Sequence, residues 1–100
     1  MDRALNLIGL MRKANKLSLT EQKCKEDIKN GKSELILISS DCSDNVSEKI
    51  RILSDNHNIR CIRCDYTKYQ LASAAGSGLC TVISINDKGF SEAFLKLINV

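Results

Sequence analysis

A chain of 100 residues that is 43% apolar, with five glycines and no proline, has material for one compact core and no stretch that could act as a linker, so a single domain over 1–100 is expected. Its longest apolar runs, such as LILI at 35–38, fall far short of the roughly 20 residues a membrane-spanning helix needs, and no signal-peptide pattern opens the chain. Five cysteines cannot all pair with one another, so free thiols and a reducing, cytoplasmic location are expected, and the net charge of +3 hides an uneven distribution: residues 1–32 carry eight basic and four acidic groups, 33–58 two and five, 59–100 five and three.

In chain order, DRALNLIGLMRKANK spaces Leu5, Ile8, Leu10 and Met11 as one face of an amphipathic helix. LSLT follows as a short extended piece. TEQKCKEDIKNGK predicts a second helix, with Ser18 or Thr20 as N-cap, carboxylates early, lysines late and Gly31 as the stop. ELILISS reads as a strand buried on both faces. SDNVSEKIRILSDN sets Val46, Ile50 and Leu53 at helical spacing over about 44–55, and His57-Asn58 turns the chain. IRCIRC predicts another strand, and TKYQLASAAG a short helix capped by Thr67 and stopped by Gly76, with GSG as a flexible turn. LCTVISI has the strongest β-branched character in the chain, and KGFSEAFLKLINV closes it as a helix bearing Phe90, Phe94, Leu95 and Leu97. Regular alternation of strand and helix predicts an α/β sandwich of about four mostly buried strands with helices on both faces.

Few residues offer chemistry. Cys61 and Cys64 form a Cys-x-x-Cys pair, but a structural zinc site needs a second pair, and residues three apart on a strand point to opposite faces. A thioredoxin-like centre would set its first cysteine at a helix N-terminus, whereas Cys61 falls inside the strand; an accessible Cys64 is the remaining support for redox chemistry. His57, the sole histidine, lies in a polar turn. No nucleophile, zinc-protease or P-loop motif occurs, so no enzyme activity, cofactor, metal or small-molecule substrate is expected. What remains is binding, with the lysine-bearing helix start TEQKCK and the loop AAGSGL as candidate surfaces for structured RNA, although on residue pattern alone an ordinary charged helix is the better account of the first. Four aromatics are too few for recognition dominated by base stacking.

The order of LNLIGLMRKANKL, the passage from Ile28 to Ser43, TKYQLASAAG at 67–76 and LCTVISI resembles the kink-turn-binding ribosomal protein superfamily, in particular its bacterial YlxQ group, over nearly the whole chain. That resemblance implies a three-layer α-β-α sandwich around a four-stranded mixed sheet, no catalysis, and a structured RNA partner, possible ribosomal RNA included, in a ribosome or ribonucleoprotein particle. In the superfamily a Gly-x-Asn-Glu-x-x-Lys pattern at the start of the second helix reads the kinked RNA, and the loop before the last strand covers an extruded base. These positions fall here on Thr20, Gln22, Lys23 and Glu26, so charge is inverted at the last two, with Lys25 beside them as a substitute cation. By the same resemblance Lys68, Ser43 and the loop Gly76, Ser77, Gly78 and Leu79 belong to the RNA surface. Two further readings stay open: a protein-interaction module whose RNA surface has degenerated, and a thiol redox or metal protein using Cys61 and Cys64.

Overall fold

The computed structural model describes residues 2–99. Five helices, α1 (Arg3–Lys13), α2 (Glu21–Lys29), α3 (Asp44–Asn56), α4 (Lys68–Ala75) and α5 (Lys88–Leu97), alternate with four strands, β1 (Leu17–Ser18), β2 (Leu35–Ile38), β3 (Arg60–Arg63) and β4 (Val82–Ile85). The sheet order is β1-β4-β2-β3. β4 runs antiparallel to both neighbours, and β2 pairs with β3 in parallel, with Ile36 opposite Cys61 and Ile38 opposite Arg63.

Alternation along the two central strands divides the core. Leu35, Leu37, Ile83 and Ile85 face one layer, where Ile8 and Met11 of α1, Leu71 and Ala75 of α4 and Phe94 of α5 cover them. Ile36, Ile38 and Val82 face the other, against Cys24 and Ile28 of α2 and Ile50 of α3. The result is a three-layer α-β-α sandwich, and the unbroken apolar run of β2 follows from its being covered on both sides.

All four helices that follow a strand or turn inside the chain start on a capping side chain: Thr20, Ser43, Thr67 and Asp87 each accept from the backbone N–H three residues on. Thr67 and Gln70 complete a capping box. Helix ends are made by left-handed residues, Gly31 and Gly76 as the sequence indicates, and also Asn15, Asn58 and Asn99, asparagine being the side chain that best tolerates positive φ.

Several expectations are corrected. Thr20, not Ser18, caps α2, because Ser18 turns inward to a buried carboxylate. Leu10 points to solvent, 55% exposed, since two residues beyond Ile8 the helix has rotated about 200°. β3, read from the sequence simply as a strand, forms an edge of the sheet, with Arg60 and Arg63 exposed; paired on one side only, it uses charge to discourage further pairing. β4 begins only at Val82, since Leu79 lies out in solvent. α5 stops at Leu97, itself partly exposed, and Val100 lies outside the described residues.

Candidate nucleic-acid interface

Topology alone assembles one edge of the molecule. β2 and β3 end there, β4 starts there, and α2, α3 and α4 all have their first turns there. Ser39 N–H donates to Thr81 C=O (2.9 Å) and Ser40 N–H to Tyr66 C=O (2.8 Å), joining the three loops. Three helix N-termini, two in one layer and one in the other, bring the positive ends of their dipoles to this edge, although Thr20, Ser43, Thr67 and Asp41 already accept N–H groups of the first turns.

The predicted site residues lie on α2 and its cap, at the starts of α3 and α4, and on the loop that leads into β4. Thr20 spends its hydroxyl oxygen on Lys23 N–H (3.1 Å). Gln22 is exposed at the first turn, its amide 3.5 Å from Glu26 Oε1. Lys23 lies 3.7 Å from Glu26 Oε2 and 3.9 Å from Asp27 Oδ1, and Lys25 2.8 Å from Glu21 Oε2. Both cations are therefore paired along their own helix, though pairs this exposed are held by about 1 kcal/mol or less and can be exchanged for a phosphate. Ser43 caps α3, accepting from Val46 N–H (3.3 Å). Lys68 opens α4, with its ammonium 5.5 Å from the centre of the Tyr69 ring. Beyond it, Gly76 turns in left-handed geometry, Ser77 N–H is tied back to Ala72 C=O (2.9 Å), Gly78 has open space above its Cα, and Leu79 is 60% exposed. The 76–79 loop is thus anchored at its start, where the sequence read only a flexible turn.

Two residues of this edge escaped sequence reasoning. Asp41 accepts Lys68 N–H (2.9 Å), which holds its carboxyl below the usual carboxylate range and docks the loop after β2 onto the first turn of α4. Arg63 reaches over from β3, its Nη1 lying 3.2 Å from Ser39 O, 3.2 Å from Ser40 O and 3.4 Å from Cys42 O, so one guanidinium fixes the shape of that loop. The Asx residue after a strand was a readable sign for Asp41. Arg63 carried none, because its targets are main-chain carbonyls over twenty residues away.

The thiols lie elsewhere in function. Cys61 packs against the α2/α3 layer and Cys64 against the α1/α4/α5 layer, so the pair cannot hold one ion or close a local disulfide. Cys64, expected to be accessible if redox-active, is buried, with Sγ donating to Ile38 C=O (3.4 Å), and burial pushes its pKa up. Burial likewise raises Cys61, Cys42 and Cys80, and lifts Cys24 to about 12. Thiols shifted this way are poor nucleophiles.

A three-layer sandwich that brings three helix starts to one edge is a frame able to carry a binding site there. Residues 2–95 match the model of the ribosomal protein L7Ae/L30e/S12e/Gadd45 family, and the chain belongs to that family. Among relatives, it is 29% identical over 96 residues to the RNA-binding protein YlxQ of Enterococcus faecium, covering 96% of this chain and 91% of that one. It is 23% identical over 93 residues to YlxQ of Bacillus subtilis strain 168, covering 93% and 92%. A solved protein of unknown function from Bacillus halodurans superposes over the full length of both chains with a TM-score of 0.93 at 26% identity. The Giardia lamblia 15.5kD RNA binding protein shares the fold, with a TM-score of 0.75 at 16% identity over 95% of this chain and 81% of that one.

Proposed function

We propose that this protein binds structured RNA without catalysing a reaction, in a bacterial cytoplasm and in association with ribosomal or other ribonucleoprotein RNA. The observation that carries the reading is the convergence of three helix N-termini, Lys68 and the 76–79 loop on one edge, in a chain whose relatives are RNA-binding proteins. Gln22 offers an amide to a base edge, Lys23, Lys25 and Lys68 offer cations to phosphates, Ser43 and Ser77 offer hydroxyls, and Gly78 lets the backbone come close. A standard kink-turn meets Glu26 where a cation would serve it better, so the preferred RNA departs from that consensus.

Titration of a structured RNA, such as a ribosomal fragment with a kinked internal loop, against salt tests the reading. Wild type binds at low salt and weakens as salt rises, and K23E/K25E/K68E abolishes binding. No binding at low salt would overturn it. The pairing of Lys23 and Lys25 with carboxylates of their own helix favours a second reading, a protein-interaction module on the same frame. A partner retained from lysate after nuclease treatment would speak for that alternative.

A further inference from the structure

Between α1 and α4 runs a groove of about 590 Å3. Its floor is Leu5, Gly9 and Ala74, where the helices come so close that a Cβ on Gly9 would lie 3.3 Å from Ala74 O. Its rim carries the Asp2 carboxylate, an acceptor already engaged by the Tyr66 hydroxyl (2.8 Å), the amide of Asn6, the hydroxyl of Ser73 and the amide of Gln70, whose Oε1 already accepts Thr67 N–H (2.9 Å) while its Nε2 remains available. Tyr69 forms one wall with 65% of its surface in solvent. A tyrosine this exposed on an eight-residue helix contributes little to the core, and its neighbour in sequence is Lys68 of the candidate RNA edge.

We infer that this groove is a nucleobase subsite, in which a single-stranded base of the bound RNA stacks on Tyr69 while Asn6, Ser73 or Gln70 Nε2 meets its polar edge. The inference rests on the RNA-binding reading above and extends the RNA contact around α4. Stacking needs an accessible aromatic face, and edge recognition needs side chains holding both donors and acceptors; the groove supplies both. The Lys68 ammonium, 5.5 Å from the ring centre, stands where it can take the phosphate of the same nucleotide or its neighbour. A docked protein helix would be served better by a continuous apolar floor, and here three apolar residues are bordered by polar groups on both helices.

The test compares a short single-stranded oligoadenylate with an abasic ribose-phosphate chain of equal length, both titrated at low salt against the full chain. Wild type binds the base-bearing strand tighter by roughly 5- to 150-fold, the range that loss of one stacked base produces. Y69A brings the two affinities together, and Y69F preserves the difference. S73L, which fills the groove from an exposed position and leaves the tyrosine in place, also removes it; circular dichroism confirms that each variant is folded. The inference falls if wild type binds both strands equally, or if Y69A keeps the wild-type ratio, as it would were the groove a protein-docking site. If K68E weakens both strands while Y69A changes neither, RNA binding stands and the subsite alone is lost. If neither strand binds wild type, the subsite is lost, and the structured-RNA titration alone decides the RNA-binding reading.

Discussion

Replacing Asp27 by alanine should destabilise the protein more than any other single change in α2 outside its apolar face. Asp27 is 1% exposed, yet it carries a carboxylate. Its Oδ2 accepts from the Ser18 hydroxyl of β1 and from Asn86 Nδ2 (2.9 Å) just past β4, and Asn86 Oδ1 in turn meets Ser84 Oγ (2.6 Å), which lies 2.8 Å from Ser33 Oγ. This chain of polar groups fastens α2 to the β1 and β4 side of the sheet, and so sets the position of Gln22 and Lys23. Removal of the carboxylate leaves the buried Ser18 hydroxyl without its acceptor, while Asn86 Nδ2 keeps a second acceptor in Ser18 Oγ (3.2 Å); an abandoned buried partner costs about 1–3 kcal/mol. Relief of carboxylate desolvation and the half-buried position of Asn86 return part of that, leaving a net loss of about 1–2 kcal/mol. For a domain of this size the total is about 5–15 kcal/mol, so the urea midpoint should drop clearly while the m-value stays constant. D27N keeps an acceptor and should lose less. S18A/D27A should lose less than the sum of its single changes, because the two share one bond. A D27A protein within about 0.5 kcal/mol of wild type would refute the argument that this network, rather than apolar packing alone, holds α2 in place.

Three other outcomes are expected. E26K, which removes the carboxylate beside Lys23, should strengthen binding to structured RNA and steepen the log-log salt dependence by about 0.7–0.9 if the new cation reaches a phosphate. Thiol labelling of the folded protein near pH 8 should be slow at every cysteine and fastest at the half-buried Cys61, with the rest released on unfolding, because burial raises all five pKa values; rapid labelling of Cys64 would contradict the packing. Tyr66 donates to Asp2 Oδ2 (2.8 Å), and burial together with that bond pushes its pKa up to about 12. A raised folded-state value means that Tyr66 stabilises fully below its unfolded pKa near 10 and loses that contribution as pH climbs from about 10 to 12. Ultraviolet titration should show this late ionisation, and D2N should bring it earlier.

Much of the fold was legible in the residues. The apolar LILI run, the Thr20, Ser43 and Thr67 caps and the Gly31 and Gly76 stops are local signals, written where the chain itself must satisfy hydrogen bonds or positive φ. They were enough to order strands and helices and, with the family resemblance, to mark Lys68 and the 76–79 loop as candidates. Amphipathic spacing was less discriminating, because Leu10 and Leu97 are as apolar as their buried neighbours and only the rotation of each helix against the sheet turned them outward.

Sequence by itself determined the order and kind of the elements and most helix caps and stops, since capping and backbone freedom act over three or four residues. Tertiary structure decided which pieces meet: that β3 is an edge, that Cys61 and Cys64 serve opposite layers, that Lys23 and Lys25 face carboxylates of their own helix, and that Arg63 holds a loop twenty-one to twenty-four residues away. These are long-range or rotational facts. They follow from sheet order and helix packing, which bring together side chains that no local pattern pairs.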